Sequence, residues 1–179
     1  LLGQFDVAGL RYAGKRLPYR YVALSSFIAF AITNNFLAGP ITGGAVRYRL
    51  YTAEKLSGTE IAKVQGFCSL TSMLGLATMI GLSLLAATDQ AATTLHLLPP
   101  WSWIAGTALL VVIAPYALWG SLGRADIELR GWKMRPPGPL LTPLQVVLGL
   151  AELSVASAVL WWLLPPEVHI RFVEFIGVY

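Results

Sequence analysis

Four long apolar runs constrain this chain more than any other feature: Tyr21 to Leu37, Val64 to Ala87, Trp101 to Gly120 and Leu141 to Leu164. A helix needs roughly 20 apolar residues to cross the hydrocarbon core of a bilayer. The last three runs have that length, and in water their all-round apolar surface would have no partner. Charged residues make up only 12% of the chain, about half the share of an ordinary soluble domain. The expected fold class is an all-α polytopic membrane protein, a transmembrane helix bundle with spans at about 64–87, 101–120 and 141–164. The formal charge of +4 would also suit a nucleic-acid partner, but the basic residues punctuate the apolar runs, which favours contact with an anionic leaflet. The lone cysteine, Cys68, excludes an internal disulfide or cysteine metal cluster and is read as a small side chain facing lipid or core. The chain opens Leu1-Leu2-Gly3 without a basic n-region, so it is expected to be a stretch of a longer protein, with no signal peptide.

Charge distribution sets the expected topology. Arg11, Lys15, Arg16 and Arg20 form one basic cluster; Arg47, Arg49, Lys55 and Lys63 a second; Arg124, Arg130, Lys133 and Arg135 a third. The positive-inside rule places all three in the cytoplasm. The connection Thr88 to Pro100 has no Lys or Arg and leads into Trp101 and Trp103, an interfacial anchor, so it is expected outside. The loop at about 121–140 is then cytoplasmic. The first run conflicts with a simple crossing, because Arg20 and Arg47 flank it and both belong inside. A re-entrant or broken hairpin at about 21–46 resolves the conflict. Its break is expected over Asn34 to Gly44, where Asn34, Asn35, Gly39-Pro40 and Gly43-Gly44 stand in place of leucines. Non-helical backbone at that depth survives only inside protein or beside a wet cavity.

Few residues carry chemistry. Glu152 sits in the middle of the fourth run, where an ionised carboxylate is costly unless paired or wetted and so marks a functional hypothesis. Gln145, Gly149, Glu152 and Ala156 share one helical face, expected to look into the bundle; a structural, hydrogen-bonded or protonated Glu152 is the alternative. Arg47 and Arg49 follow the expected break. Spaced two apart they cannot share a helical face, but they can grip opposite sides of a phosphate, for which the guanidinium fork is suited. The plainer reading is a snorkelling pair with Tyr48 and Tyr51 as belt aromatics. Asp6 is expected at an interfacial helix end. His96 and His169 are far apart with no acidic ligand pattern, so neither a metal nor another cofactor is expected. Motifs for phosphate loops, nucleophile elbows or metalloproteases are missing from the sequence, and with them any sign of catalysis.

The thread from Leu10-Arg11-Tyr12-Ala13-Gly14-Lys15-Arg16-Leu17-Pro18-Tyr19-Arg20 through Ser25-Ser26-Phe27-Ile28 and Asn34-Asn35 to Thr42-Gly43-Gly44-Ala45-Val46-Arg47-Tyr48-Arg49-Leu50-Tyr51 resembles the membrane domain of the multiple peptide resistance factor family, the bacterial lysyl-phosphatidylglycerol synthase/flippases. The match covers roughly Leu10 to Leu74; the later spans agree in spacing and character. The resemblance implies a multi-pass protein of the bacterial inner membrane that moves aminoacylated phosphatidylglycerol to the outer leaflet, giving resistance to cationic antimicrobial peptides. It implies anionic phospholipid as partner, and a homo-oligomer is an open expectation. Full-length members carry a cytosolic domain that lysylates the lipid from lysyl-tRNA; nothing here resembles it, nor is the family's downstream Pro/Gly-rich motif present. The lipid headgroup has one phosphate and two ammonium groups, so Arg47, Arg49, Glu152, Asn34, Asn35 and Asp6 are its expected binding residues. Two other readings remain: a membrane anchor for the lysyltransferase with no transport role, and a related membrane protein with a different substrate.

Overall fold

A computed structural model describes residues 2–35, 39–86, 99–122, 127–129 and 132–165, with 172 and 175. The connection 88–98 with His96, the tail with His169, and Arg124 and Arg130 of the third basic cluster lie outside the described residues. Six helices are described: α1 (Leu2–Tyr12), α2 (Tyr19–Asn35), α3 (Gly39–Ala53), α4 (Gly58–Ala86), α5 (Pro99–Leu122) and α6 (Leu141–Trp162). The protein is an all-α membrane protein: three helices, Gly58–Leu85, Trp101–Leu122 and Leu141–Trp162, are long and apolar enough to span a bilayer. The connection before α6 holds a feature the sequence did not announce, a small antiparallel hairpin of β1 (Ile127–Leu129) and β2 (Trp132–Met134), in register Ile127 to Met134. The chain divides into two compact units, Leu1–Ser72 and Met73–Tyr179, with the boundary inside α4.

In the first unit, local chemistry explains where helices stop and start. After α1, the Lys15 amide donates to the Leu10 carbonyl and Gly14 to Arg11, with Gly14 at φ 75°. This is a Schellman ending, in which the left-handed residue is cheapest as glycine. The same motif ends α3, where Leu56 donates to Tyr51 and Lys55 to Thr52, but here Lys55 takes the left-handed conformation at φ 61°. A capping box then opens α4: the Ser57 amide donates to Glu60 Oε2 at 2.8 Å and the Glu60 amide to Ser57 Oγ at 3.3 Å.

α2 and α3 pack as an antiparallel pair. Tyr21 Oη donates to the Leu50 carbonyl at 2.6 Å near one end, while Thr33 meets Gly43 near the other. Of the expected break from Asn34 to Gly44, Asn35 still belongs to α2 and Gly39 already to α3, so Gly43 and Gly44 are helical; residues 36–38 between the two helices lie outside the described residues. The reason lies in position. Pro40 falls in the first turn of α3, where its missing N–H costs nothing. Gly43 serves packing, because a Cβ there would collide with Thr33 Oγ1, whereas one on Gly44 would meet Gln65 of α4 at 3.7 Å, an ordinary contact. At 17 and 15 residues, α2 and α3 reach only about 26 and 22 Å at roughly 1.5 Å per residue. α1 packs on α2 at Gly3 against Ala23, and on α4 through Gly9 against Val64 and the Tyr12 and Phe67 rings, 5.4 Å apart. Phe5, Leu10, Val22, Tyr51 and Val64 fill the core between them.

The second unit joins its helices at small residues. A Cβ on Gly75 of α4 would lie 2.5 Å from Gly149 Cα of α6, and one on Gly106 of α5 would lie 2.9 Å from the Gly81 carbonyl oxygen of α4. Gly75 and Gly81 sit on different sides of α4, so each admits a different neighbour. α5 and α6 meet where Gly120 abuts Thr142 and where Tyr116 Oη donates to Gln145 Oε1 at 2.7 Å. Close backbone approach of this kind is how helices associate in lipid, where burying apolar surface supplies no drive. Val111, Val112 and Leu118 of α5 and Val147, Val155 and Trp162 of α6 are exposed, as lipid-facing side chains must be.

Candidate functional site

Arg47 is the centre of a buried polar cluster in the first unit, formed by side chains from four helices. α3 presents Arg47 to the interior, 3% exposed. Its Nε donates to Asp6 Oδ1 of α1 at 2.8 Å and its Nη1 to Gln65 Oε1 of α4 at 2.9 Å. The Phe30 ring of α2 lies 5.4 Å from the guanidinium carbon, a cation–π contact. Gln65 is oriented in turn, its Nε2 donating to Ser69 Oγ at 3.2 Å. Asp6, fully buried, also accepts from Ser26 Oγ on Oδ2 and from Cys68 Sγ on Oδ1 at 3.2 Å. Both charges are thus desolvated and compensate each other.

Arg47 Nη2 has no hydrogen-bond partner among the described residues, and the buried Tyr51 hydroxyl, short of a hydrogen bond of normal geometry, stands beside the Asp6 carboxylate. Four residues apart on α3, they lie on one helical face. A buried guanidinium nitrogen without an acceptor leaves space in the hydrogen-bond inventory for an oxygen-rich guest, a water or an anion.

The structure brings together two of the expected binding residues, Asp6 and Arg47, 41 positions apart. Arg49 is exposed while Arg47 is buried, because residues two apart on a helix point to opposite sides. Asp6 is buried in the helix cluster, and Tyr51 is likewise buried while Tyr48 is 55% exposed. Asn34 and Asn35 close α2, and their side chains lie outside the described residues. Glu152 belongs to the second unit, half-buried on α6 one turn beyond Gly149. On the same face Gln145 is fully buried and bonded to Tyr116. Among the described residues, no three of His, Cys, Asp and Glu converge as a metal set. Ser26, Gln65 and Cys68 were missed by sequence reasoning; each is unremarkable in an apolar run, and only their convergence on one ion pair gives them meaning.

Comparison with known proteins bears on this architecture at a coarse level. The chain is 30% identical over 182 residues to an uncharacterized Synechocystis protein, slr0712, covering all of this chain and 56% of that protein. It is 27% identical over 174 residues to the inner membrane protein YbhN of Escherichia coli, covering 97% of this chain and 54% of that one. This is a membrane protein. The chain spans about half the length of the curated relatives it matches. No family model matches it.

Proposed function

We propose that this chain is part of a lipid-translocating membrane domain like that of the multiple peptide resistance factor family, moving aminoacylated phosphatidylglycerol from the inner to the outer leaflet of a bacterial plasma membrane. The observation that carries the reading is the buried Arg47 cluster, with its guanidinium fixed by Asp6 and Gln65 and with the Nη2 donors still without an acceptor. A phosphodiester offers the oxygens those donors lack, and guanidinium is the side chain best matched to it. The α2–α3 pair supports a re-entrant placement: an antiparallel hairpin returns the chain to the face it left, as the flanking cationic residues Arg20 and Lys55 require. Glu152, half-buried in a span of the second unit, is a carboxylate of the kind that the ammonium groups of such a lipid would call for.

Tyr51→Phe tests the reading, because it removes the hydroxyl beside Asp6 and Arg47 while keeping the ring in the core. In the full-length protein, outer-leaflet aminolipid is labelled with a membrane-impermeant amine reagent while total aminolipid is extracted in parallel. The expected result for Tyr51→Phe, and for Glu152→Gln, is a fall in the labelled fraction at constant total. Unchanged labelling in both variants removes the translocation reading.

The mutual compensation of Asp6 and Arg47 favours a second reading, in which the cluster only fastens helices and the domain anchors a lysyltransferase that uses lysyl-tRNA. In that case total aminolipid, not its distribution, falls when the cluster is broken.

A further inference from the structure

The first unit has a second polar feature, separate from the Arg47 cluster. A cleft of about 470 Å³ opens between α1, its Schellman ending and the first turn of α2. Its charged lining is Arg11, Lys15 and Arg16, with no carboxylate among the lining residues; its apolar wall includes Val7, Leu17 and the buried Val22. Gly14, at φ 75°, turns the chain so that Lys15 and Arg16 come back beside Arg11, with the Lys15 amide bonded to the Leu10 carbonyl. Lys15 is held at the rim by Glu60 Oε1 at 3.2 Å. Arg11 and Arg16 are exposed and have no ion-pair partner among the described residues. The cleft also faces the positive end of α2 at Tyr19.

We propose that this cleft binds the headgroup of an anionic phospholipid, with the phosphodiester between Arg11 and Arg16 and the start of an acyl chain against Val7, Leu17 and Val22. Charge complementarity selects an anion. The apolar wall selects one with a hydrocarbon part, which a free phosphate lacks. The volume falls within the range of small-ligand sites, about 300–1,000 Å³, and a basic pocket between membrane helices is a geometry suited to lipid headgroups. The alternative is that these cations only add to a diffuse surface potential, in which case their positions in the cleft would not matter. The proposal stands apart from translocation, since a lipid is held here whether or not it is moved.

The test uses the full-length protein in neutral detergent, titrated with phosphatidylglycerol or phosphatidylcholine and read by native mass spectrometry. Wild type is expected to retain phosphatidylglycerol in preference. Arg11→Gln/Arg16→Gln is expected to weaken that retention by roughly 25-fold, about fivefold for each cation removed, with no change in thermal midpoint. Arg20→Gln removes an exposed cation of the same cluster that does not line the cleft, and is expected to leave retention unchanged. Equal losses in Arg20→Gln and the double variant would overturn the site in favour of diffuse charge, and so would undiminished binding by the double variant. Glycerol 3-phosphate is added as competitor; displacement of the lipid at equal concentration would overturn the lipid in favour of a soluble phosphate. Outer-leaflet labelling of the same variants is scored separately, so loss of transport with retained binding does not count against the cleft.

Discussion

Arg47 donates to Asp6 across 2.8 Å in a place where neither side chain reaches solvent, and this contact ties the first helix of the chain to the third. A buried charge whose partner is removed is left uncompensated, and the resulting loss is about 3–5 kcal/mol. Asp6→Ala and Arg47→Ala are each expected to lower stability by that order. The double replacement Asp6→Leu/Arg47→Met, which removes both charges and keeps the volume, is expected to recover most of the loss. Reversible unfolding in mixed detergent micelles measures all three, and a double variant as unstable as the worse single one would show that the ion pair itself supplies the stability.

Cys68 reports on the same cluster. It is 3% exposed and donates to Asp6 Oδ1, so a maleimide reaches it only when the four-helix packing opens. Labelling in native conditions is expected to be slow, and faster in Asp6→Ala by roughly the factor by which that variant is destabilised. Since the chain has one cysteine, mass spectrometry reads the rate without background from a second thiol. Equal rates in the two proteins would mean that Cys68 is reached without opening of the cluster.

Gly75 and Gly66 lie on one helix and make opposite predictions. A Cβ at Gly75 meets the backbone of Gly149, while one at Gly66 meets nothing within 4 Å. Gly75→Leu is expected to destabilise by about 1–3 kcal/mol through overpacking. Gly66→Ala is expected to be neutral or to stabilise by up to about 1 kcal/mol, since it removes freedom from the unfolded chain. Thermal midpoints in one detergent compare the two directly.

Lys55 holds φ at 61° in a position where glycine is the usual occupant. The left-handed conformation costs a residue with a Cβ about 1–2 kcal/mol, and part of this is offset by the greater freedom glycine has in the unfolded chain. Lys55→Gly is therefore expected to stabilise by roughly 0.5–1 kcal/mol. Lys55 is exposed and has no ion-pair partner among the described residues, so its charge contributes little. A lowered thermal midpoint would mean that the side chain makes a contact stronger than the strain.

The spans were legible because a run such as Leu141 to Leu164 has one stable environment, and length alone then fixes helix and membrane together. The ion pair was not. Asp6 and Arg47 are each flanked by ordinary neighbours, and no periodicity links residues on different helices. Gly43 misled in an instructive way. Glycine in a membrane helix marks either a break or a close approach, and only the position of Thr33 decides between them. The hairpin Ile127–Met134 was illegible for a different reason: three residue pairs carry too little alternation to stand out from a polar loop.

The reach of α2 and α3 has a consequence for the lipid around them. Placed in the bilayer as proposed, helices of about 26 and 22 Å fall short of a hydrocarbon core of roughly 30 Å. Leu24 and Phe27, both exposed on α2, would meet the acyl chains of the leaflet that the pair enters. A re-entrant pair enters and leaves by one face, so its shortness asks nothing of the bilayer's thickness; the ends at Asn35 and Gly39 would instead stop inside the hydrocarbon layer. Backbone polar groups at those helix ends would then need protein or water beside them at that depth, so whatever packs around the pair also decides how far water reaches into the membrane there.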